Sequence, residues 1–503
     1  MPTLLALRVK DWTKESGMYA LIGDYLPVLE WALILTNTVV AILVIFLERK
    51  DPAATLAWVM ILFFLPVIGI FFYIMLSNSI IRKKAMKLTV EEEIFIHDSL
   101  VSQMKEIGEG NFQFNGPKTK NWRDLLRLHQ ILANAYYTQD NEIQVITDGN
   151  EMFELLLKDI KEAKNTISIV YFIIKPDEIG RRFLKTLSDK AAEGVEVRLL
   201  GDGLGCRALT KTVLKEFRRS GGRFAFFLPL RFRYLSPRLN YRNHRKLVII
   251  DDTIGYLGGF NIGREYLGRK KKFGYWRDTQ LRILGSAVQD INARFLLDWR
   301  TVVKEDLTLK DAYFSETIGH GTTGIQVVSS GPDTGKEEVK RGFNRMISTA
   351  EEKIWIQTPY FVPSNSLHEN LKVAIMSGVD VRIMIPNKPD HMFVYWATWS
   401  YVGDLIELGA KVYIYDAGFL HAKTIVVDGE ISSVGTANFD RRSFKLSFET
   451  NVFIYGAKQA EKMERIFEED MLKCYQLTKE SYRKRNLLIK IKEPVCRLLS
   501  DIL

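Results

Sequence analysis

Two stretches of the chain, "NHRKLVIID" at 243–251 and "LHAKTIVVDG" at 420–429, share one spacing. His244 and Lys246 are followed by Asp251; His421 and Lys423 are followed by Asp428. Downstream of each Asp an Asn, Asn261 or Asn438, closes a small-residue turn, "GGFN" or "GTAN". The chain has 7 histidines, and only these two sit in an H-x-K-x4-D frame. A lone His in an apolar strand is usually a structural residue, but a repeated frame of four residue types argues for chemistry. Strands alternate faces, so the His and Lys of each pair point the same way. Two imidazoles and two ammonium groups suit a phosphodiester. Each Lys offers a point charge to non-bridging oxygens, and each Asn amide adds a donor. A neutral His can attack phosphorus, and a protonated His can give its proton to the leaving alkoxide. Zinc would want three or four His, Cys or carboxylate ligands, and adjacent lysines oppose it. No metal and no other cofactor is expected.

His244, Lys246, Asp251, His421, Lys423 and Asp428 therefore form the expected catalytic set. Asp251 and Asp428 lie on the opposite strand face or in the turn beyond, where pinning that turn is at least as good a role as chemistry. Asn261 and Asn438 are expected to bind phosphate or orient the site. Asp278 in "YWRDT" and Glu449 in "FETN" are candidates to hold each imidazole by its second nitrogen. They follow their histidines by 34 and 28 residues, each on the next strand of its own half.

The elements that carry these residues occur twice. "KNTISIVYFII", "KAAEGVEVRLLGD" and "GGRFAFF" precede the first motif; "EEKIWIQTPYF", "AIMSGVDVRIMIP" and "GAKVYIY" precede the second. Each half reads as strand, helix, strand, helix, strand, strand, a pattern that builds a sheet covered by helices. The two histidines are 177 residues apart, about one half-domain. Duplicated halves packed about a pseudo-twofold axis would bring both His-Lys pairs into one site. The expected organisation is a membrane anchor at 1–80, a helical neck at 81–140, a first half at 141–315, a second half at 316–480 and a tail at 481–503.

Residues 26–47 carry one charge, Glu30, and residues 56–76 carry none. Both approach the roughly 20 residues that a helix needs to cross a bilayer, so a transmembrane hairpin is expected. Arg8, Lys10, Lys14, Arg82, Lys83, Lys84 and Lys87 flank it, against Arg49 and Lys50 in the connector. That asymmetry places both ends and the remaining chain in the cytoplasm. With 70 Lys and Arg against 60 Asp and Glu, the net charge of +10 suits an anionic partner such as an anionic membrane. The 3 cysteines form neither a disulfide framework nor a metal spacing. The tail mixes Lys and Arg with Leu and Ile, fitting either an interfacial helix or one packed on the catalytic domain.

Together the two H-x-K-x4-D motifs resemble those of the phospholipase D superfamily. "LNYRNHRKLVIIDD", "IQTPYFVPSNSL" and "ATLAWVMILFFLPVIGIFFY" are similar to segments of bacterial cardiolipin synthases. The resemblance runs from about residue 26 to 480. It implies an α/β fold of two duplicated α/β/α phospholipase D-type halves with pseudo-twofold symmetry, behind an N-terminal transmembrane helical hairpin. It implies transfer of a phosphatidyl group from one phosphatidylglycerol to another, with glycerol released and no metal used. It also implies His244 as nucleophile and His421 as general acid and base. The superfamily often has Ser after the first Gly of the turn; here Gly259 and Thr436 stand there, and an unequal division of labour between the halves is expected. A hydrolytic phospholipase D would use the same residues. A nuclease is disfavoured: the site lacks a long Lys/Arg array interleaved with aromatics, and no nucleic-acid partner is expected.

Overall fold

The structure is a computed structural model that describes residues 17–47, 52–76, 89–228, 241–303, 305, 307 and 319–498. The chain divides into two compact units, one of residues 1–82 and 232–240, the other of 83–231 and 241–503.

The described part of the first unit is helical: α1 (Gly17–Leu47), α2 (Pro52–Phe64) and α3 (Pro66–Leu76). The apolar segment 56–76 is not one helix. It breaks at Leu65, and Pro66, whose ring fixes φ and which has no N–H to donate, opens α3. Val44, Leu62 and Tyr73 are buried together, with Trp58 edge-on to Tyr73 at 5.3 Å. The Asn37 side-chain amide donates to the Leu62 carbonyl. Among the described residues, no helix is long and apolar enough to cross a membrane. The side chains of 17–27 are outside that description, as are all nine flanking and connector basic residues that bear on orientation.

In the second unit, α4 (Val90–Glu109) begins with a capping box, Thr89 with Glu92. After it comes α5 (Arg123–Ala133). Trp122, Leu125 and Leu126 are buried in the same apolar cluster as Val328, Phe343 and Phe453. The end of the segment expected as a neck is thus part of the second half's core.

The strands of the first half are β1 (Thr138–Ile146), β2 (Thr166–Tyr171), β3 (Glu196–Asp202), β4 (Arg223–Phe227), β5 (Arg242–Asn243), β6 (Leu247–Ile250), β7 (Ile254–Gly258), β8 (Tyr275–Arg277) and β9 (Gln280–Leu284). Those of the second are β10 (Thr323–Ser330), β11 (Lys353–Gln357), β12 (Phe361–Val362), β13 (Asp380–Pro386), β14 (Lys411–Tyr415), β15 (Gly418–Leu420), β16 (Thr424–Val427), β17 (Ile431–Gly435), β18 (Phe439–Asp440), β19 (Ser447–Tyr455) and β20 (Cys474–Leu477). Helices α6 (Gly149–Glu162), α7 (Glu178–Ala192), α8 (Ala287–Val303), α9 (Glu338–Thr349), α10 (Asn365–Met376), α11 (Met392–Leu408), α12 (Ala457–Met471) and α13 (Leu487–Leu498) complete the named elements. The boundary expected at 315/316 lies outside the described residues.

One sheet runs through both halves, joined where β1 and β10 pair antiparallel. Outward from that seam the first half reads β1-β9-β7-β6-β2-β3-β4, and the second reads β10-β19-β17-β16-β11-β13-β14, with β20 added at its edge. The two orders correspond strand for strand. In each half the three outermost shared strands are parallel and the inner ones antiparallel.

Two short strands cross between halves. β5 pairs in parallel with β19, and β15 pairs in parallel with β8. Phe419 of β15 is accordingly buried in the first half's core, 4.8 Å from Trp276 and 5.3 Å from Phe273. Each chain segment therefore touches the opposite half just before its motif and enters its own sheet just after it.

Candidate active site

The expectation that each H-x-K lies within one continuous strand is corrected here. His244 to Lys246 join β5 to β6, and His421 to Lys423 join β15 to β16; neither triplet is itself in a strand. The reason is the change of pairing partner. The His244 amide donates to Phe448 O at 2.9 Å, and the His421 amide to Arg277 O at 2.7 Å, both across the halves. The pairs nevertheless keep the expected common side. Lys246 Nζ donates to the His244 carbonyl at 2.6 Å, and Lys423 Nζ to the His421 carbonyl at 2.5 Å.

The halves also exchange carboxylates. His421 Nδ1 lies 2.6 Å from Asp278 Oδ2, and His244 Nδ1 lies 3.0 and 3.1 Å from the two oxygens of Glu449. Both acids hold imidazoles, but each holds the one in the other half, not its own as expected. The strand crossing forces this. β8 delivers Asp278 beside the strand that ends before His421, and β19 delivers Glu449 beside the strand that ends before His244. The carboxylate side chains are 0% exposed, whereas those of His244 and His421 retain 15% and 10%. The buried edge of each ring is thus committed and the opposite nitrogen is left for substrate. A carboxylate only accepts, so Nδ1 carries the hydrogen and Nε2 its lone pair in the neutral ring.

The supports of the two acids differ. Thr436 Oγ1 donates to Glu449 Oε2 at 2.5 Å, whereas Asp278 accepts the Thr279 amide at 2.8 Å. At Gly259, the counterpart of Thr436, a Cβ would stand 1.9 Å from Asp278 Oδ1. Glycine is needed there because the carboxylate occupies the space a side chain would fill.

Burial and mutual repulsion set the charges. Burial pulls Lys246 down to about 7, and Lys423 adds to the fall while Glu449 opposes it. Burial likewise takes Lys423 to about 8 against Asp278 and Glu449. His421 falls to about 4 through burial and the neighbouring Lys423. His244 is lowered by burial against the pull of Glu449. Burial works to raise Asp278, but Lys423 and His421 hold it below the usual range. His244 also feels Lys423, and His421 feels Lys246, so the two pairs share one site.

Asp251 and Asp428 are not brought to the imidazoles. Asp251 accepts the amides of Lys164, Asn165 and Thr166 at 2.7, 2.7 and 2.9 Å. Asp428 does the same for Glu351, Glu352 and Lys353 at 2.9, 2.9 and 2.8 Å. Each sits at the far end of its strand from the His, with a positive φ of 49° or 54° that Asp tolerates. Asn261 and Asn438 are buried. Asn261 Oδ1 accepts the Ile173 amide at 3.0 Å, whereas Asn438 Oδ1 has no partner within the protein.

Sequence reasoning missed several contributors. Phe172 stands edge-on to His244 at 4.8 Å, and Trp276 packs 5.1 Å from His421. Arg245 is fully buried, its guanidinium on both Asp298 oxygens at 3.0 and 2.9 Å and on Thr450 Oγ1 at 2.9 Å. No local signal marks it: the triplet lies outside a strand, and the second motif has Ala422 in the same position. No group of His, Cys, Asp and Glu able to hold a metal occurs among the described residues.

A family model described as "Cardiolipin synthase, PLD-like domain" matches residues 156–299 and 343–471. One described as "Phospholipase_D-nuclease N-terminal" matches 37–78. The cardiolipin synthase of Listeria innocua is 49% identical over 472 residues, covering 94% of this chain and 98% of that protein. The major cardiolipin synthase ClsA of Bacillus subtilis is 50% identical over 468 residues, 93% and 97% of the two chains. The crystal structure of phosphatidylserine synthase from Haemophilus influenzae shares the fold: TM-score 0.56 at 18% identity, over 75% of this chain and 96% of that one. Two His-Lys pairs in one site, on a chain that matches its relatives nearly end to end, belong to the cardiolipin synthase family of the phospholipase D superfamily.

Proposed function

We propose that the protein is a cardiolipin synthase, a phosphatidyltransferase that converts two phosphatidylglycerol molecules to cardiolipin and glycerol. The observation that carries this reading is the reciprocal arrangement of two imidazoles, each held at Nδ1 by a carboxylate of the opposite half.

In the proposed reaction the phosphodiester of one phosphatidylglycerol lies between the imidazoles, with Lys246 and Lys423 on its non-bridging oxygens. His244 Nε2 attacks phosphorus. The bond to the glycerol oxygen breaks, and His421 in its protonated form gives that oxygen its Nε2 proton. A phosphatidyl-histidine remains. The primary hydroxyl of a second phosphatidylglycerol then gives its proton to His421 and attacks phosphorus, and the bond to His244 breaks. One phosphodiester is lost and one formed, and His421 ends protonated as it began. His421 is pulled down to about 4 in the empty site. The anionic phosphodiester must therefore supply the charge that lets it take up its first proton. The Asn438 amide is the further donor to the phosphate, whereas Asn261 orients the loop after β2. Asp251 and Asp428 hold the turns that fix their strands.

The matching strand orders support two duplicated phospholipase D-type halves about a pseudo-twofold axis. The apolar composition of 26–47 and 56–76, and the match over 37–78, support a hairpin that holds the enzyme in the cell membrane. The Lys/Arg asymmetry supports a catalytic unit on the cytoplasmic side. Phosphatidylglycerol and the surrounding anionic lipid are then the partners.

Expression in a host lacking cardiolipin, followed by mass spectrometry of its lipids, tests the function. Cardiolipin should appear with the wild-type chain and not with His244→Ala or His421→Ala. Phosphatidic acid in its place would make the enzyme a hydrolase. Trapping the phosphatidyl-enzyme and mapping the labelled peptide tests the roles: label on His421 would reverse them.

A further inference from the structure

Helix α13, near the end of the chain, is fastened to the second unit by one face only. Cys496 and Glu493 are buried. Glu493 receives Arg485 at 2.7 Å and the Tyr482 hydroxyl at 3.2 Å. Arg497 reaches from α13 to Asp404 of α11 at 2.7 Å and lies 4.2 Å from the Tyr401 ring. The helix is thus held in a fixed rotation about its own axis.

Its other face is exposed. Leu487, Leu488, Ile491, Val495 and Leu498 are between 52% and 84% exposed. At 3.6 residues per turn these five fall in one stripe about 100° wide. Lys490 and Lys492, both exposed, fall on its two sides. The one acidic residue of the helix, Glu493, is on the buried face. An apolar centre with cations on both edges and no exposed carboxylate matches an anionic lipid surface, where acyl chains meet the stripe and headgroup phosphates the lysines. The companion helix α11 leads towards the chemistry. Its first turn follows Asp390, which accepts the Tyr360 hydroxyl and whose charge is felt by Lys423.

We infer that α13 is an interfacial helix that seats the catalytic unit on the anionic bilayer holding its substrate, a contact made independently of the N-terminal hairpin. The inference rests on the substrate being a bilayer lipid, but its test reads depth rather than turnover, so it can fail while that reading stands.

The full-length protein, with Cys474→Ser, is reconstituted into vesicles of phosphatidylglycerol and phosphatidylcholine, or of phosphatidylcholine alone. A fluorophore is attached through Ile491→Cys, Val495→Cys or, as a control at an exposed position of α6, Lys158→Cys. Lipids with a nitroxide high on the acyl chain should quench the probes at 491 and 495 by at least about twofold, and the control little. The quenching should fall in phosphatidylcholine alone and in the Lys490→Glu, Lys492→Glu background. Equal quenching at all three sites, or none at 491 and 495 in the phosphatidylglycerol vesicles, would overturn the inference. So would efficient cross-linking between copies through Ile491→Cys, which would make a second chain the occupant of the stripe.

Discussion

His244 and Glu449 stand 205 positions apart and meet at 3.1 Å, and Asp278 and His421, 143 apart, meet at 2.6 Å. Neither half of the sheet holds a complete histidine-carboxylate pair of its own. The site exists only when the halves are docked, and the crossing strands β5 and β15 bring the histidines to the opposite half's carboxylates. A carboxylate at Nδ1 fixes the tautomer and stabilises the imidazolium, an effect of the kind that makes general acid-base catalysis worth roughly 10²–10⁴-fold.

Asp278→Asn and Glu449→Gln should each lower turnover by about 10²-fold or more while leaving the fold intact. They should differ in the step affected. Glu449→Gln acts on His244, the proposed nucleophile, and should slow formation of the phosphatidyl-enzyme. Asp278→Asn acts on His421, the proposed acid and base, and should slow both steps. Rapid-quench measurement with labelled phosphatidylglycerol separates them. Equal effects on the first step alone would show that the exchange of carboxylates has no division of roles behind it.

Gly259→Ser should be far more damaging than Thr436→Ser. The new Cβ would stand 1.9 Å from Asp278 Oδ1 and must drive that carboxylate off His421. Thr436→Ser keeps the hydroxyl that donates to Glu449. The expected outcome is an activity loss of about 10²-fold for the first and less than about threefold for the second, from the lost orientation of one imidazole. Comparable activity in the two variants would show that Asp278 can be displaced without cost.

Asp251→Ala and Asp428→Ala should be stability variants. Each removes an acceptor for three backbone amides and puts Ala at positive φ, a combined cost of about 1–3 kcal/mol. The transition temperature should fall, while the folded fraction keeps most of its turnover. A loss of activity matching the histidine variants, at unchanged stability, would return these residues to the chemistry.

Much of this site was legible in the sequence because period-2 alternation and a repeated spacing are local signals. The four His and Lys residues, the small-residue turns and the duplicated order of elements follow from them. The pairing of acids with histidines was not legible. Asp278 follows His244 closely and Glu449 follows His421, so chain proximity pointed to the wrong partner in both cases. What decided it was β8 against β15 and β19 against β5, pairings of three and two residues that leave no hydrophobic period behind. Arg245 was missed for a related reason. A buried guanidinium looks like any surface Arg until Asp298 is beside it. The break at Leu65 was signalled by Pro66 but outweighed by the unbroken run of apolar residues around it.

Binding of a phosphodiester should take up protons. The empty site suppresses its own charges: Lys246 is pulled down to about 7, Lys423 to about 8 and His421 to about 4, in each case chiefly by burial. An anion set between them favours every protonated form, so each of these values must rise on binding. Between the free and the bound value a group is deprotonated when the site is empty and protonated when it is filled. Uptake is therefore positive, and it is carried by different groups at different pH. Near pH 8 the lysines supply it. Near pH 5.5 both lysines are already charged, and the histidines supply it: His421, above its free value, and His244, which burial also lowers in the empty site. Dimethyl phosphate is a suitable probe because it stays a monoanion throughout. Calorimetry in buffers of different ionisation enthalpy gives the number of protons from the slope. About one proton is expected near pH 8, less with Lys246→Met, and near pH 5.5 the uptake should fall with His421→Ala. A zero or negative slope near pH 8 in the wild-type enzyme would mean that the lysines are already charged in the empty site, and that their repulsion rather than their desolvation has been offset by the buried carboxylates.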